Sequence, residues 1–221
     1  MRVLFFIFLL TLFGTSPLTA ITIELGENGD AQWTFLREIL FKTQEDAMVF
    51  KEYVNNYYQE EDETFQKFKA EIKKLVDEIS IDREMSVTEF KVSFKTDEDR
   101  GYIVYDFLWK NFAKLENNKI IVGDVFEGGY YLSEDEKLEI IFPKGYKIIY
   151  IEPKADILDD SKVSWKGKMN FGDKNPKIVL EKMEPQVENK VNLTDKQYLY
   201  IGGLAGVILL LVIIILVMMK K

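Results

Sequence analysis

The chain has 221 residues, 37 acidic and 29 basic, and contains neither histidine nor cysteine. These two absences exclude Ser-His-Asp triads, histidine zinc sites and histidine proton shuttles, as well as thiol nucleophiles, iron–sulfur clusters and disulfide staples. Residues 21–197 hold all 37 acids and, with Arg2, Lys220 and Lys221 set aside, 26 bases, a net of −11 that repels nucleic acid and anionic headgroups.

In chain order, the first element is a targeting segment. Arg2, an apolar run from Val3 to Phe13, then Gly14, Pro17 and a small Ala20 have the layout of a secretory signal peptide over residues 1–20. The apolar run is short for a membrane span. Cleavage is expected after Ala20, although Leu18 at the −3 position is larger than a signal peptidase prefers.

Ile21 to Leu25 alternates apolar and polar residues, Gly26 to Asp30 supplies a turn, and Trp33, Phe35, Ile39 and Phe41 continue on one face, which predicts a β-hairpin. Arg37 interrupts that face and marks either a bulge or the strand's exit from the core. Thr43 is placed to cap a helix, with Asp46 in the position usually held by Glu or Gln. Ala47, Phe50, Val54 and Tyr57 then recur at helical spacing. After the polar run Glu60 to Glu63, a stronger stripe of Phe65, Phe68, Ile72, Leu75, Val76 and Ile79 predicts a second helix, with Glu63 and Lys67 paired on its outer face.

From Ser86 the pattern is β. Phe90, Val92 and Phe94 alternate with polar residues, and Tyr102 to Phe112 is apolar on both faces, as in a strand covered on both sides. Further strands are expected at Ile120 to Phe126, around Leu138 to Phe142, at Tyr146 to Ile151, at Val163 with Trp165, and at Ile178 to Met183. The fold class is therefore α+β over residues 21–184: an antiparallel sheet of about eight strands with a helical pair inserted after the first hairpin.

Residues 185–197 are polar and read as a stalk. It carries Asn192 in the sequon Asn192-Leu193-Thr194, the candidate N-glycosylation site. Residues 198–219 contain no charge and no proline, and as a helix they would be roughly 33 Å long, enough to span a bilayer. Lys220 and Lys221 form the expected cytoplasmic tail, which places the C-terminus inside and the N-terminal domain outside the cell membrane. Gly202 and Gly206 form a GxxxG pair, the candidate face for helix self-association and homodimer formation.

No catalytic, cofactor-binding or metal-binding residue stands out. The chain lacks a GK[ST] phosphate loop and a dinucleotide fingerprint. Glu60 to Glu63, Asp97 to Asp99, and Asp156 with Asp159 and Asp160 lack EF-hand spacing and read as solvated loops rather than cation sites. The serines sit in no nucleophile setting. The glycines of Gly123 to Gly129 suit a bulge or tight turn better than a binding loop, and Trp109 and Trp165 suit the core.

The runs ELGENGDAQW, REMSVTEF, GYIVYDFLWKNFA, GDVFEGGYYL, FPKGY and VSWKG, in that order, resemble an archaeal family of exported, membrane-anchored domains of unknown function. The similarity covers most of residues 21–183. In halophilic relatives such a domain is similar to the outer part of proteins that continue through a membrane helix into a winged-helix domain, which implies sensing outside and output inside. Here only two lysines follow Met219, so an internal output domain is not expected and any signal would pass through another membrane or envelope protein. The resemblance implies no catalytic residues. The sequence thus predicts a single-pass, non-enzymatic binding or sensing module with no cofactor, no nucleic-acid partner and the lipid bilayer as its setting. A carboxylate-based envelope hydrolase and a passive structural envelope protein are the alternatives.

Overall fold

The computed structural model describes residues 18–59, 63–80 and 83–184. The first seventeen residues of the expected signal peptide, the stalk with Asn192 and the expected span with Gly202 and Gly206 lie outside them. Among the described residues, no helix is long and apolar enough to cross a membrane.

β1 (Leu18–Leu25) and β2 (Ala31–Leu40) form the expected antiparallel hairpin. Its turn closes from Gly26 N–H to the Asp30 carbonyl at 2.8 Å, with Gly29 at φ 82°, a conformation that glycine adopts without strain. β1 begins three residues before Ile21, and Ala20 keeps register with both Leu36 and Lys137. Opposite Arg37 the register shifts, leaving Thr19 as an extra residue on β1, so a bulge lies where Arg37 breaks the apolar alternation.

Two helices follow, α1 (Gln44–Gln59) and α2 (Glu63–Ile79). α2 buries the predicted stripe of Phe65, Phe68, Ile72, Leu75 and Val76, and Glu63 and Lys67 form their i,i+4 ion pair at 2.7 Å. Among its described side chains α1 buries fully only Phe50, while Tyr53, Val54 and Tyr57 are partly covered. Its start is the predicted capping box. The Asp46 carboxylate accepts the backbone N–H groups of Lys42 and Thr43, both at 2.8 Å, and Thr43 Oγ1 accepts that of Asp46 at 3.2 Å. Those backbone donors, Thr43 first, hold the Asp46 pKa below its ordinary value.

β3 (Ser86–Thr96) and β4 (Arg100–Lys110) complete the hairpin side of the main sheet. The remaining strands are shorter: β5 (Lys114–Glu116), β6 (Lys119–Val122), β7 (Tyr130–Leu132), β8 (Lys137–Ile141), β9 (Tyr146–Glu152), β10 (Ile157–Leu158), β11 (Lys162–Lys166), β12 (Met169–Phe171) and β13 (Lys177–Lys182). They build a seven-stranded sheet in the order β10-β11-β8-β1-β2-β4-β3, a four-stranded sheet β5-β6-β13-β9, and the pair β12-β7.

The α+β class and the helical insertion match the sequence expectation, but the single antiparallel sheet of about eight strands does not. β1 and β8 run parallel, from Ala20 opposite Lys137 to Glu24 opposite Ile141. A tight turn demands antiparallel neighbours, but these two strands are joined by more than a hundred residues, so either direction is open to them. The extra strands are two or three residues long, too short to show a period.

β4 also differs from expectation. Its burial alternates strictly, with Ile103, Tyr105, Phe107 and Trp109 buried and Val104, Asp106 and Leu108 half-exposed, so one face is covered rather than two. The apolar residues on the open face give the sequence its doubly apolar look. On the covered face, α2 lies against one end of the sheet, with Phe68 edge-on to Phe35 and tilted against Tyr105 and Phe107 at 5.2 to 6.0 Å between centroids. At the other end Trp33 is the hub, meeting Trp109, Phe112 and Phe126 at 5.5 to 6.3 Å. Each Trp or Phe removed from water here contributes about 2 to 3 kcal/mol from buried apolar area, which stands in for the absent disulfides.

In β3 a bulge at Glu89, φ 58°, lets Val87 oppose Trp109 and Val92 oppose Tyr105 on the same face. Without that extra residue, Val92 and Phe94 would point to the open face.

Candidate functional site

Several turns of the chain gather into one joint. Arg83, just past α2, donates from Nε to the Asn111 carbonyl at 2.6 Å and from Nη2 to the Phe112 carbonyl, and it pairs bidentately with Asp124. Asn111 donates its N–H to Asp30 and its side-chain amide to the Glu84 carbonyl, both at 2.8 Å. The runs around Asp30, Arg83, Asn111 and Asp124 are thus tied together at one end of the main sheet. These bonds of Arg83, Asn111 and Asp124 all run within the joint, so it is a structural clamp. Gly123 to Gly129 belongs to it as turns, with Gly123, Gly128 and Gly129 at φ 145°, 81° and 84°.

The acidic runs are turn-builders as well. Asp159 Oδ1 accepts the N–H groups of Ser161 and Lys162, both at 2.9 Å, and the Asp156 carboxylate accepts that of Lys166 at 2.8 Å. Asp97 and Asp99 lie near Lys95 and Arg100 at 3.8 and 3.4 Å. Among the described residues, no three His, Cys, Asp or Glu side chains gather as metal ligands; residues 60–62 lie outside them. Trp109 and Trp165 are buried core residues, as their setting in the sequence suggests.

A concavity lies elsewhere, between α1 and the end of the sheet where β2 and β4 pair. It measures about 770 Å³ and takes Arg37, Ile39, Phe50, Tyr53, Ile103 and Tyr105 into its walls. A volume of this size suits a small ligand. Three features of the sequence create it. α1 is only weakly amphipathic, so its middle stands off the sheet and leaves Leu40, Met48 and Val49 more than half exposed. Phe50 props the helix against β4 at Gly101, where a Cβ would fall 2.7 Å from the ring. Arg37 opposes Ile103 on the inward face of β2.

Arg37 is the unusual member. Its Nε is buried without a hydrogen-bond partner among the described residues. Burial is the main influence on its pKa and pulls it below the ordinary guanidinium value, against a smaller opposite pull from the nearby Tyr105 and Tyr53. Arginine is the cation that stays charged in such a place. Asp46, the acid in the same wall, has its carboxylate committed to the backbone of Lys42 and Thr43. The cleft can therefore take an apolar body and offer the buried guanidinium of Arg37, with Lys42 as a second cation in its wall.

The sequence marked Arg37 as an interruption, and the interruption was the signal: one cation at an inward position of an otherwise apolar strand. Pattern alone could not show that α1 leaves that position open. The sequence also gave no sign of Glu136, whose side chain is 2 % exposed and whose Oε2 accepts the Ser133 N–H at 2.7 Å. Burial pushes its pKa up, the Ser133 hydrogen bonds opposing. It hides in the run Ser133-Glu134-Asp135-Glu136, which reads as solvated.

A family model described as Domain of unknown function (DUF7345) matches residues 22–146, more than half of the chain. The match spans β1 to β8, including Arg37, the clamp and both helices. No curated protein matches the chain.

Proposed function

The chain belongs to the DUF7345 family, and from that footing we propose that it is a membrane-anchored, non-enzymatic binding or sensing module that takes its ligand in the cleft beneath α1. The cleft carries the reading: about 770 Å³, walled mostly by apolar side chains and held beside a helix that is only lightly attached. The anchor is the span at residues 198–219, with the N-terminal domain outside the cell membrane and Lys220 and Lys221 inside, as the charge pattern of the two ends favours. A ligand that wedges or closes α1 would change the surface presented to a neighbouring membrane or envelope protein, and the module would pass on its signal through that surface.

Two measurements test this. Protein purified from its own membranes should release a bound small molecule on solvent extraction, and Val49→Trp, which fills the cleft from α1, should strip it. Identical extracts from both would overturn the cleft as the site. Because the chain has no cysteine, Lys95→Cys and Lys221→Cys each give a unique thiol. The first should react with a membrane-impermeant maleimide in intact cells and the second only after lysis. The reverse pattern would overturn the topology.

A further inference from the structure

We propose that the ligand of the α1 cleft is an amphipathic monocarboxylate, its alkyl or aromatic body lying against Ile39, Val49, Phe50 and Ile103 and its carboxylate paired with Arg37. This rests on the cleft being the binding site and goes further by naming the chemistry that fills it. A guanidinium donor out of water without an acceptor is destabilising, and that cost disappears when an anion enters. Arg37 Nε is such a donor.

Arg37 is the one of the wall's two cations that is buried with an unpartnered donor, and a single guanidinium fork calls for a single carboxylate. The domain around it is strongly acidic, with a net of −11 over residues 21–197, and repels multiply charged anions such as phosphate esters far more than a monoanion. A guanidinium presents Nε–H and a neighbouring Nη–H side by side, a fork whose spacing fits the two oxygens of a carboxylate. The one acid among the described residues of the cleft wall does not compete, because Asp46 closes the capping box of α1. Lys42 lies in the same wall and adds positive potential without a fixed geometry. The rest of the lining is mainly apolar, with Tyr53, Thr64 and Tyr105 as its hydroxyl-bearing members. Ile39, Val49, Phe50 and Ile103 have no polar atoms beyond the backbone, and Leu40 and Val49 are 53 % and 60 % exposed, leaving apolar area to be covered. Polar head and apolar body are therefore both required.

The test is isothermal titration of the full chain in lipid nanodiscs, with empty discs subtracted, using octanoate, octan-1-ol and octyl phosphate. Octanoate should bind at least tenfold more tightly than octan-1-ol and than octyl phosphate. Arg37→Met should lower octanoate affinity at least tenfold and leave octan-1-ol within twofold. Arg37→Gln supplies the same readout if the methionine chain does not fold, with thermal melting as the check. Equal affinity for octanoate and octan-1-ol, or an equal loss of both on Arg37→Met, overturns the carboxylate assignment while leaving the cleft as an apolar site. Preference for octyl phosphate overturns it in favour of a phosphate ligand. If Val49→Trp leaves all three unchanged, the cleft is not the site and both readings fall. If none of the three binds the unaltered chain, the monocarboxylate is overturned.

Discussion

Gly101 shows how much a single missing atom can set. A Cβ there would meet three atoms of the Phe50 ring at 2.7 to 2.8 Å, so Gly101→Ala must push Phe50, and with it α1, away from β4. Overpacking of this kind costs about 1 to 3 kcal/mol, and the loss should be partly reversed in Gly101→Ala/Phe50→Leu, as a double-mutant cycle would read. Additive losses would show that the two residues do not share one contact. Arg83 acts through several bonds at once. Arg83→Ala leaves the Asn111 and Phe112 carbonyls and Asp124 without it, and should cost about 2 to 3 kcal/mol in chemical denaturation. Arg83→Lys should recover less than half, because an ammonium cannot hold three acceptors in one plane. Glu136 has the opposite sign. Its folded pKa is raised by burial, so its protonated form is the one the fold favours, and stability is lost as pH rises through the folded pKa. Glu136→Gln keeps an acceptor for the Ser133 N–H and should raise the melting temperature at neutral pH, with the advantage vanishing in acid below the carboxylate range. A constant difference across that pH range would contradict this.

The two helices differ as elements, and that difference is functional. α2 is held by five buried side chains, whereas α1 is held mainly by Phe50, the ring contacts of Tyr53 and Tyr57 with Phe94, and its capping box. Thr43→Ala should therefore cost about 1 kcal/mol and appear as faster amide exchange confined to α1, with α2 unchanged. Protection lost equally in both helices would mean that they open as one unit. Much of this was legible in the chain. The stripe of α2, the capping box, the Glu63–Lys67 pair and the first hairpin all rest on neighbours within five residues or on a strict period, which sequence carries directly. The parallel partnership of β1 with β8, the single-sided burial of β4 and the bulge at Glu89 depend on residues far apart, and no local period encodes them. The candidate site falls between these cases: Arg37 was visible as an anomaly, but the space around it follows from how loosely α1 sits.

At the scale of the whole molecule, the family match and the fold do not end together. The match stops at residue 146, yet β8 is flanked on one side by β11, and β13 lies between β6 and β9. A chain ending at Tyr146 would leave one edge of β8 open and remove the central strand of the four-stranded sheet, so it should show no cooperative thermal transition, while a chain of residues 18–184 should melt cooperatively. A sharp transition in the shorter chain would show that the later strands are ornament. The position of β1 has one more consequence. It is the first strand made and lies in the middle of the main sheet, with β2 on one side and β8 on the other. Its second edge cannot be filled until residues 137–141 have appeared, a contact of high sequence separation and therefore slow to form. A chain threaded N-terminus first through a translocation pore would stay unlocked over most of its length, and the strand that enters first would be the one on which folding is finally completed.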